Sequence, residues 1–425
     1  MRVYRLAILT SLAGLTVILL GTAVYALQTP SSPPATSNAL HKITQQENPL
    51  RAQKQGADYL AIVADEPGFM NALTPLLTHR EETGLQVTAV SLAQITAEFG
   101  DGEVSPQAIR DFLQFTATHW QPAPQFILLV GDATFDDQLN DNNLLPTHML
   151  QTEDGSFAAC DSWYTTFDST SSTPPAAIGR FPVQTAAQLT AVIRKTIAYE
   201  TAVTQSPDEP WLQRALLIAD DEPYFDIATD HLEDNLNRSG YYIHDFHMSQ
   251  NQDIYPYITT VLNRGVGILN YSGHGSETNF AEGIAFTADD ARLLQNEHRL
   301  PIFTAFSCQN GTFTDPNQDS ISEELLLTEN GGVVAAIGTS GRMKTHDSLL
   351  LSNIFYQHLL HDSATTLGDV LMKTKTAVHD NDDLATAVQT YNLLGDPALQ
   401  LHHPPQSQIV KPIPLSGATT LVNDK

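Results

Sequence analysis

His274 and Cys308 are the two side chains of this 425-residue chain whose type and setting suit covalent chemistry. His274 lies in Gly273-His274-Gly275-Ser276, directly after the apolar run that begins at Val266. Cys308 lies in Ser307-Cys308-Gln309-Asn310-Gly311, after the run that begins at Pro301. A thiolate is the reactive form of cysteine, and an imidazole can take the thiol proton and return it to a leaving amine. Backbone N–H groups beside the glycines, those of Gly275 and Cys308, could receive a developing oxyanion. Losing one such donor typically removes about 3 kcal/mol of transition-state stabilisation. This set of groups suits acyl transfer on a peptide bond. Taken singly, each residue has a plainer reading: a buried cysteine acts as a small hydrophobe, and a loop histidine is polar surface. The case rests on their joint placement, each at the end of a strand-like run and flanked by small residues.

Two such residues, 34 positions apart, meet only if their runs are neighbouring parallel strands. The chain has the pattern for that. Short apolar runs at 58–65, 85–92, 125–133 and 176–183 alternate with helical patterns at 71–84, 105–120 and 185–200. Ser105 followed by Pro106 is a helix-start signal, and Gly84 a helix-stop signal. After residue 206 the alternation resumes. Strands are expected at 214–221, 240–247, 266–273, 301–308 and 332–339, with helices at 226–238, 254–264 and 346–361. Strand–helix alternation implies a mostly parallel sheet covered on both faces. The fold class is therefore α/β, with two successive subdomains at 56–205 and 206–402. The segment 60–69 (LAIVADEPGF) echoes 216–225 (LLIADDEPYF), which suggests related halves. Ligands of open parallel sheets bind outside the carboxyl ends of the strands, where both His274 and Cys308 would stand.

Composition narrows the partners. Lys and Arg number 21 against 48 Asp and Glu, a net charge of −27. Such a balance excludes phosphate-reading surfaces, so no nucleic acid partner is expected. It equally opposes docking on an anionic bilayer. Two cysteines, Cys160 and Cys308, with no CxxC, exclude a disulfide framework and a cysteine-rich zinc site. They could pair with each other or leave a reactive thiol. Arg2 and Arg5 precede an uncharged, mostly apolar run from Leu6 to Leu27. Residues 1–27 therefore read as a signal peptide, with Val24-Tyr25-Ala26 as its cleavage site, or as an uncleaved membrane anchor. Either reading exports the rest to a periplasmic, cell-surface or secreted location, with membrane contact only through this segment. Residues 28–55 are a Pro/Ser-rich linker and 403–425 a tail of similar composition. Two oxygen-rich runs, 132–143 and 315–324, carry hard ligands of the kind calcium takes but lack EF-hand spacing. They read first as solvated loops, and no cofactor is required.

Five segments resemble the gingipain-type cysteine peptidases, family C25, and occur in that family's order: 126–133 (FILLVGDA), 176–183 (AAIGRFPV), 270–280 (NYSGHGSETNF), 306–313 (FSCQNGTF) and 391–399 (YNLLGDPAL). The resemblance implies a caspase-like catalytic subdomain, an exported cysteine endopeptidase and a protein or peptide substrate. By position it makes Cys308 the nucleophile and His274 its base, with Gly275 and Cys308 supplying the oxyanion N–H groups. Glu222, after the first strand of the second unit, would orient His274. Asp226 would be the pocket floor for a basic residue before the scissile bond, although it also suits a helix start. The opposite wall falls at Met343 and Lys344, where Arg-specific members carry an aromatic residue, and Lys344 would repel a basic side chain. Family members carry structural calcium. Two other readings are a catalytically silent binding module on the same fold, and a peptidase or transpeptidase dedicated to one sorting-signal partner.

Overall fold

The computed structural model of the chain describes residues 49–135, 143–167, 175–250, 255–281, 285–361, 365–379 and 381–404. The strands are β1 (Tyr59–Val63), β2 (Val87–Ser91), β3 (Phe126–Val130), β4 (Met149–Gln151), β5 (Phe157–Ala159), β6 (Ala177–Phe181), β7 (Arg214–Ala219), β8 (Tyr242–His247), β9 (Ile268–Ser272), β10 (Asn279–Phe280), β11 (Phe286–Thr287), β12 (Ile302–Phe306), β13 (Ala335–Thr339) and β14 (Tyr391–Leu394). The helices are α1 (Phe69–Glu82), α2 (Leu92–Phe99), α3 (Pro106–His119), α4 (Ala186–Gln205), α5 (Pro223–Arg238), α6 (Tyr255–Arg264), α7 (Ala288–Ala291), α8 (Ile321–Leu327), α9 (Thr345–His361), α10 (Leu367–Ala377) and α11 (Asp382–Gln389).

Ten strands form one sheet in the order β2-β1-β3-β6-β14-β13-β12-β9-β7-β8. Every residue of β1, β3, β9, β12 and β13 is buried, as a sheet covered on both faces requires. The helices start where short polar side chains can satisfy the first N–H groups. Ser105 caps α3 at Ala108 N–H, and Thr185 forms a reciprocal capping box with Gln188 on α4.

The two expected subdomains are halves of this single sheet. β14, close to the end of the described chain, lies between them. It runs parallel to β6 and antiparallel to β13. The strands of the first half therefore point opposite to those of the second, and their carboxyl ends lie on opposite rims. The connection from β3 to β6 must return across the sheet to the rim where β9 and β12 end. On the way it forms the hairpin β4–β5. Ser340 Oγ, just past β13, donates to Ala159 O at 2.7 Å, and Asp161 N–H donates to Asn392 Oδ1 at 3.0 Å. These bonds moor the hairpin at that rim.

Beneath the sheet a buried ionic cluster also joins the halves. Arg80 on α1 binds Glu200 on α4 (2.8 Å) and Asp396 after β14 (2.9 Å). Asp396 also accepts the Tyr59 hydroxyl at 3.0 Å. Burial is affordable for these charges because each is paired and hydrogen-bonded. No helix among the described residues is long and apolar enough to cross a membrane. The apolar run at 6–27 and the tail from 405 lie outside the described residues.

Candidate active site

β9 and β12 are parallel neighbours, with Ser272 level with Phe306. His274 and Cys308 each lie two residues further on, so they leave the sheet side by side. β7 flanks β9 on the other side, with Ala219 level with Ser272. The residues after β7 thus stand behind His274. Glu222 Oε1 lies 3.0 Å from His274 Nε2. An ionised carboxylate only accepts, so Nε2 donates and Nδ1 keeps its lone pair for a proton. Buried Phe225 meets the imidazole edge-on, with ring centroids 5.5 Å apart. The imidazole stays about half exposed (51%), open to a substrate.

Both backbone groups of His274 are gripped by side chains. Buried Asp220 Oδ2 accepts its N–H at 2.8 Å, and the Tyr271 hydroxyl donates to its carbonyl. The same hydroxyl accepts Ala281 N–H at 2.9 Å. Burial, with Asp220 alongside, holds the Tyr271 hydroxyl well above its ordinary pKa, so it remains a donor.

The Cys308 loop is joined to the His274 loop by Asn310, which is fully buried. Its amide donates to Ser276 O and to Asn279 O, and its carbonyl accepts the Ser307 hydroxyl. A β-carbon on Gly275 would come within 2.7 Å of Asn310 Oδ1, so close approach of the loops requires glycine there. Gly275 faces Phe280 across a bridge whose bonds are Ala281 N–H to His274 O and Ser276 N–H to Asn279 O. That bridge does not consume the Gly275 N–H.

Cys308 is half-buried and lies against the backbone of Met343. Met343 N–H donates to Sγ at 3.4 Å, and Sγ lies 3.5 Å from Met343 O. The next residue, Gln309, holds φ at +57°, and its N–H is pinned to Gly341 O at 3.0 Å. A non-glycine residue in this region costs of the order of 1 kcal/mol, and such strain gathers at functional sites. Cys160 differs in its surroundings. It is free, fully buried, and near Ser162 and Gln389, and burial pushes its thiol pKa up. Cys308 is also free, so the two cysteines are not paired.

A cavity of about 370 Å³ opens beside Met343. Lys344, Arg342 and Asp347 come from the second half, and Glu153 and Asp154 from the hairpin. Asp347, in the first turn of α9, has a largely buried side chain (12% exposed), with His346 Nδ1 3.4 Å from its Oδ1. Asp226 is not in this lining, contrary to the pocket-floor expectation. It sits in the first turn of α5 and binds His247 Nδ1 and Ser249 Oγ, both at 2.7 Å. The helix turns it toward the end of β8, which lies on the far side of β7 from β9 and β12. Sequence reasoning found the segment carrying Met343 and Lys344 but missed Asp347, Asp220, Tyr271, Asn310 and the hairpin. The Asp-Asp-Glu run and the Asn two residues past the cysteine were the available signals.

Among the described residues, Asp220, Asp221 and Glu222 are the one group of three metal-binding side chains with ligand atoms within 4.8 Å of one another. Asp220 and Glu222 each engage His274 through one carboxylate oxygen. In the oxygen-rich runs, 136–142 lie outside the described residues. Asp132 is bound by Gln184 Nε2 and Ala133 N–H, and Asp315 by Asn317 N–H.

Comparison with known proteins places this arrangement. The chain is 27% identical over 281 residues to Lys-gingipain HG66 of Porphyromonas gingivalis, which covers 64% of this chain and 15% of that protein. It is 25% identical over 260 residues to gingipain R2 of Porphyromonas gingivalis, 57% of this chain and 35% of that one. The chain thus spans only a minor part of the length of these curated relatives. The crystal structure of the Arg-specific cysteine proteinase gingipain R superposes with a TM-score of 0.71 at 22% identity, covering 84% of this chain and 80% of the other. The fold is therefore the caspase-like arrangement of that enzyme. A model of Peptidase family C25 matches residues 52–402, which includes every element described above. On that match, the chain belongs to the cysteine peptidase family C25.

Proposed function

We propose that the chain is an exported cysteine endopeptidase that cleaves after a basic residue. The observation that carries the chemistry is the register pairing that sets His274 beside Cys308, with Glu222 bound behind the imidazole. His274 Nδ1 takes the thiol proton, and the sulfur attacks the scissile carbonyl carbon. The oxyanion faces the N–H groups of Gly275 and Cys308. The C–N bond breaks as His274 returns its proton to the amine, leaving a thioester on Cys308. Water, deprotonated by His274, hydrolyses the thioester and restores the thiol. Glu222 holds the ring and stabilises the imidazolium between these steps.

Two features support basic specificity. Asp347 offers a shielded carboxylate in the cavity beside the nucleophile, and the names of the relatives describe Lys- and Arg-directed enzymes. The role expected of Asp226 thus passes to Asp347. Export is supported by the basic start and apolar run of residues 1–27. The intact His274–Glu222 pair disfavours a silent binding module.

A cleavage profile of the full chain on a diverse peptide library tests this reading. We expect cleavage after Lys or Arg, abolished by Cys308→Ala and reduced about 100-fold in kcat/KM by Asp347→Asn. Turnover by a well-folded Cys308→Ala protein would overturn the dyad. Unchanged selectivity in Asp347→Asn would overturn the pocket.

A further inference from the structure

The mouth of the cavity beside Cys308 is lined by both halves of the molecule, and its charges are already matched. Lys344 Nζ binds Glu153 Oε2 at 2.8 Å, and Arg342 lies 4.0 Å from Asp154 Oδ2. These cations flank Met343, whose backbone touches the nucleophile. The carboxylates lie at the turn of the β4–β5 hairpin, and that turn is stiff. Asp154 Oδ1 accepts Thr152 Oγ1 (2.7 Å), Ser156 N–H (3.1 Å) and Ser156 Oγ (2.6 Å). These bonds hold Asp154 at about 2, below the ordinary carboxylate range. The hairpin is anchored in turn by the Ser340 bond to Ala159. By contrast, Lys344 and Arg342 keep 65% and 73% of their side chains in solvent. Exposed pairs of this kind contribute little to stability and exchange partners readily. Around the cavity there are three carboxylates (Glu153, Asp154, Asp347) and two cations. One entering positive charge would complete the balance.

We propose that Glu153 is a specificity-determining residue for the basic side chain of the substrate, and that Lys344 is its built-in competitor. The substrate's cation displaces Lys344 into solvent and takes over Glu153 on its way to Asp347. A neutral side chain leaves the Lys344 pair closed across the mouth. Lys344 therefore does not simply repel a basic substrate, because its charge is held by Glu153. The hairpin makes the first half a participant in substrate selection. This inference rests on the basic-specific peptidase reading above.

The test uses two peptides identical except for Lys or norleucine before the scissile bond. The readout is the ratio of their kcat/KM values in the full chain and in Lys344→Met, Glu153→Gln and the double variant. Lys344→Met is expected to raise the Lys/norleucine ratio 5- to 10-fold, mainly through KM. Glu153→Gln is expected to lower it about 10-fold. The double variant should match Glu153→Gln alone if the competition runs through that carboxylate. If the full chain prefers Lys and Asp347→Asn abolishes that preference, while neither rim variant changes the ratio, the inference is wrong and the peptidase reading stands. If the full chain cleaves neither peptide, or shows no preference, both readings fall.

Discussion

The two halves of the sheet repeat one frame, and among the described residues only the second carries the His274–Cys308 pair at its rim. In strand order, β2-β1-β3-β6 matches β8-β7-β9-β12. The residue after β1 is Ala64, and after β7 it is Asp220. Gly131 follows β3 and Gly273 follows β9, each set against its counterpart. A β-carbon on Gly131 would come within 3.0 Å of the Ala64 β-carbon, and one on Gly273 within 2.5 Å of the Asp220 β-carbon. Past these glycines stand Asp132 in the first half and His274 in the second. Two residues beyond β6 is Val183, and two beyond β12 is Cys308. The difference teaches that the fold provides two equivalent rims. Three positions distinguish the rims: Ala or Asp behind the glycine, Asp or His after it, and Val or Cys beyond the next strand.

The largest test of this comparison is a pair of glycine substitutions. Gly273→Ala would press a methyl group within 2.4 Å of the Tyr271 hydroxyl as well as against Asp220, disturbing both grips on His274. We expect kcat to fall about 100-fold, the scale of a misplaced catalytic group. Gly131→Ala adopts an unfavourable φ of +146° and crowds Ala64, costing stability of about 1–3 kcal/mol, while kcat stays within a few-fold. Denaturant melts and kcat per titrated thiol separate the two effects. Equal loss of activity in both variants would break the comparison.

A smaller effect tests the Ala64/Asp220 difference. Asp220→Ala removes the acceptor of the His274 N–H and should lower kcat about 10-fold with little change in KM. Asp220→Asn keeps an acceptor and should restore most of that loss. Failure of the conservative variant to rescue would mean that the charge of Asp220, not its grip on the backbone, matters.

A further test, read in stability instead of turnover, concerns Asp132, the counterpart of His274. Burial raises its pKa from 3.8 to about 6, despite bonds from Gln184 and Ala133; Arg180 opposes the shift and Asp319 adds to it. Buried Glu323, facing Asp132 and Asp319, is raised in the same way. A carboxyl group raised on folding favours the folded state below its unfolded pKa, and that contribution is lost as pH climbs through the folded value. Asp132 alone should thus cost the order of 2–3 kcal/mol of stability between pH 4 and pH 7. Urea melts across that range should show a shallower decline in Asp132→Asn, with the remainder belonging to Glu323. An unchanged decline would refute the assignment.

The strands and helices that carry the dyad are legible in the sequence because each is a long periodic segment or a fully apolar run. His274 and Cys308 are legible for a related reason, since each stands at the end of such a run, whereas Glu222 is picked out by the family resemblance. β14 is not legible, because the apolar piece before Gly395-Asp396-Pro397 is only four residues long and shows no period that marks it as a strand. Nor is the β4–β5 hairpin, whose three-residue strands are too short to show a period. Asp226 illustrates a different failure. Its distance along the chain from Glu222 is right for the rim, but helix geometry turns it toward His247. Asp347 and Asn310 act through neighbours brought together by folding, which spacing alone does not display.

The central place of β14 sets a schedule for the molecule. The chain makes β13, passes through α9, α10 and α11, and only then lays a strand between β6 and β13. Until that happens each half has an open edge, and the hairpin of the first has no fixed berth against the loop after β13. His274 and Cys308 can already be neighbours, since β9 and β12 pair within the second half. The hairpin side of the neighbouring cavity is tied to β14 as well, through the Asp161–Asn392 bond. A chain interrupted before Tyr391 would keep His274 and Cys308 at the ends of paired strands but would lack the strand that joins the two halves.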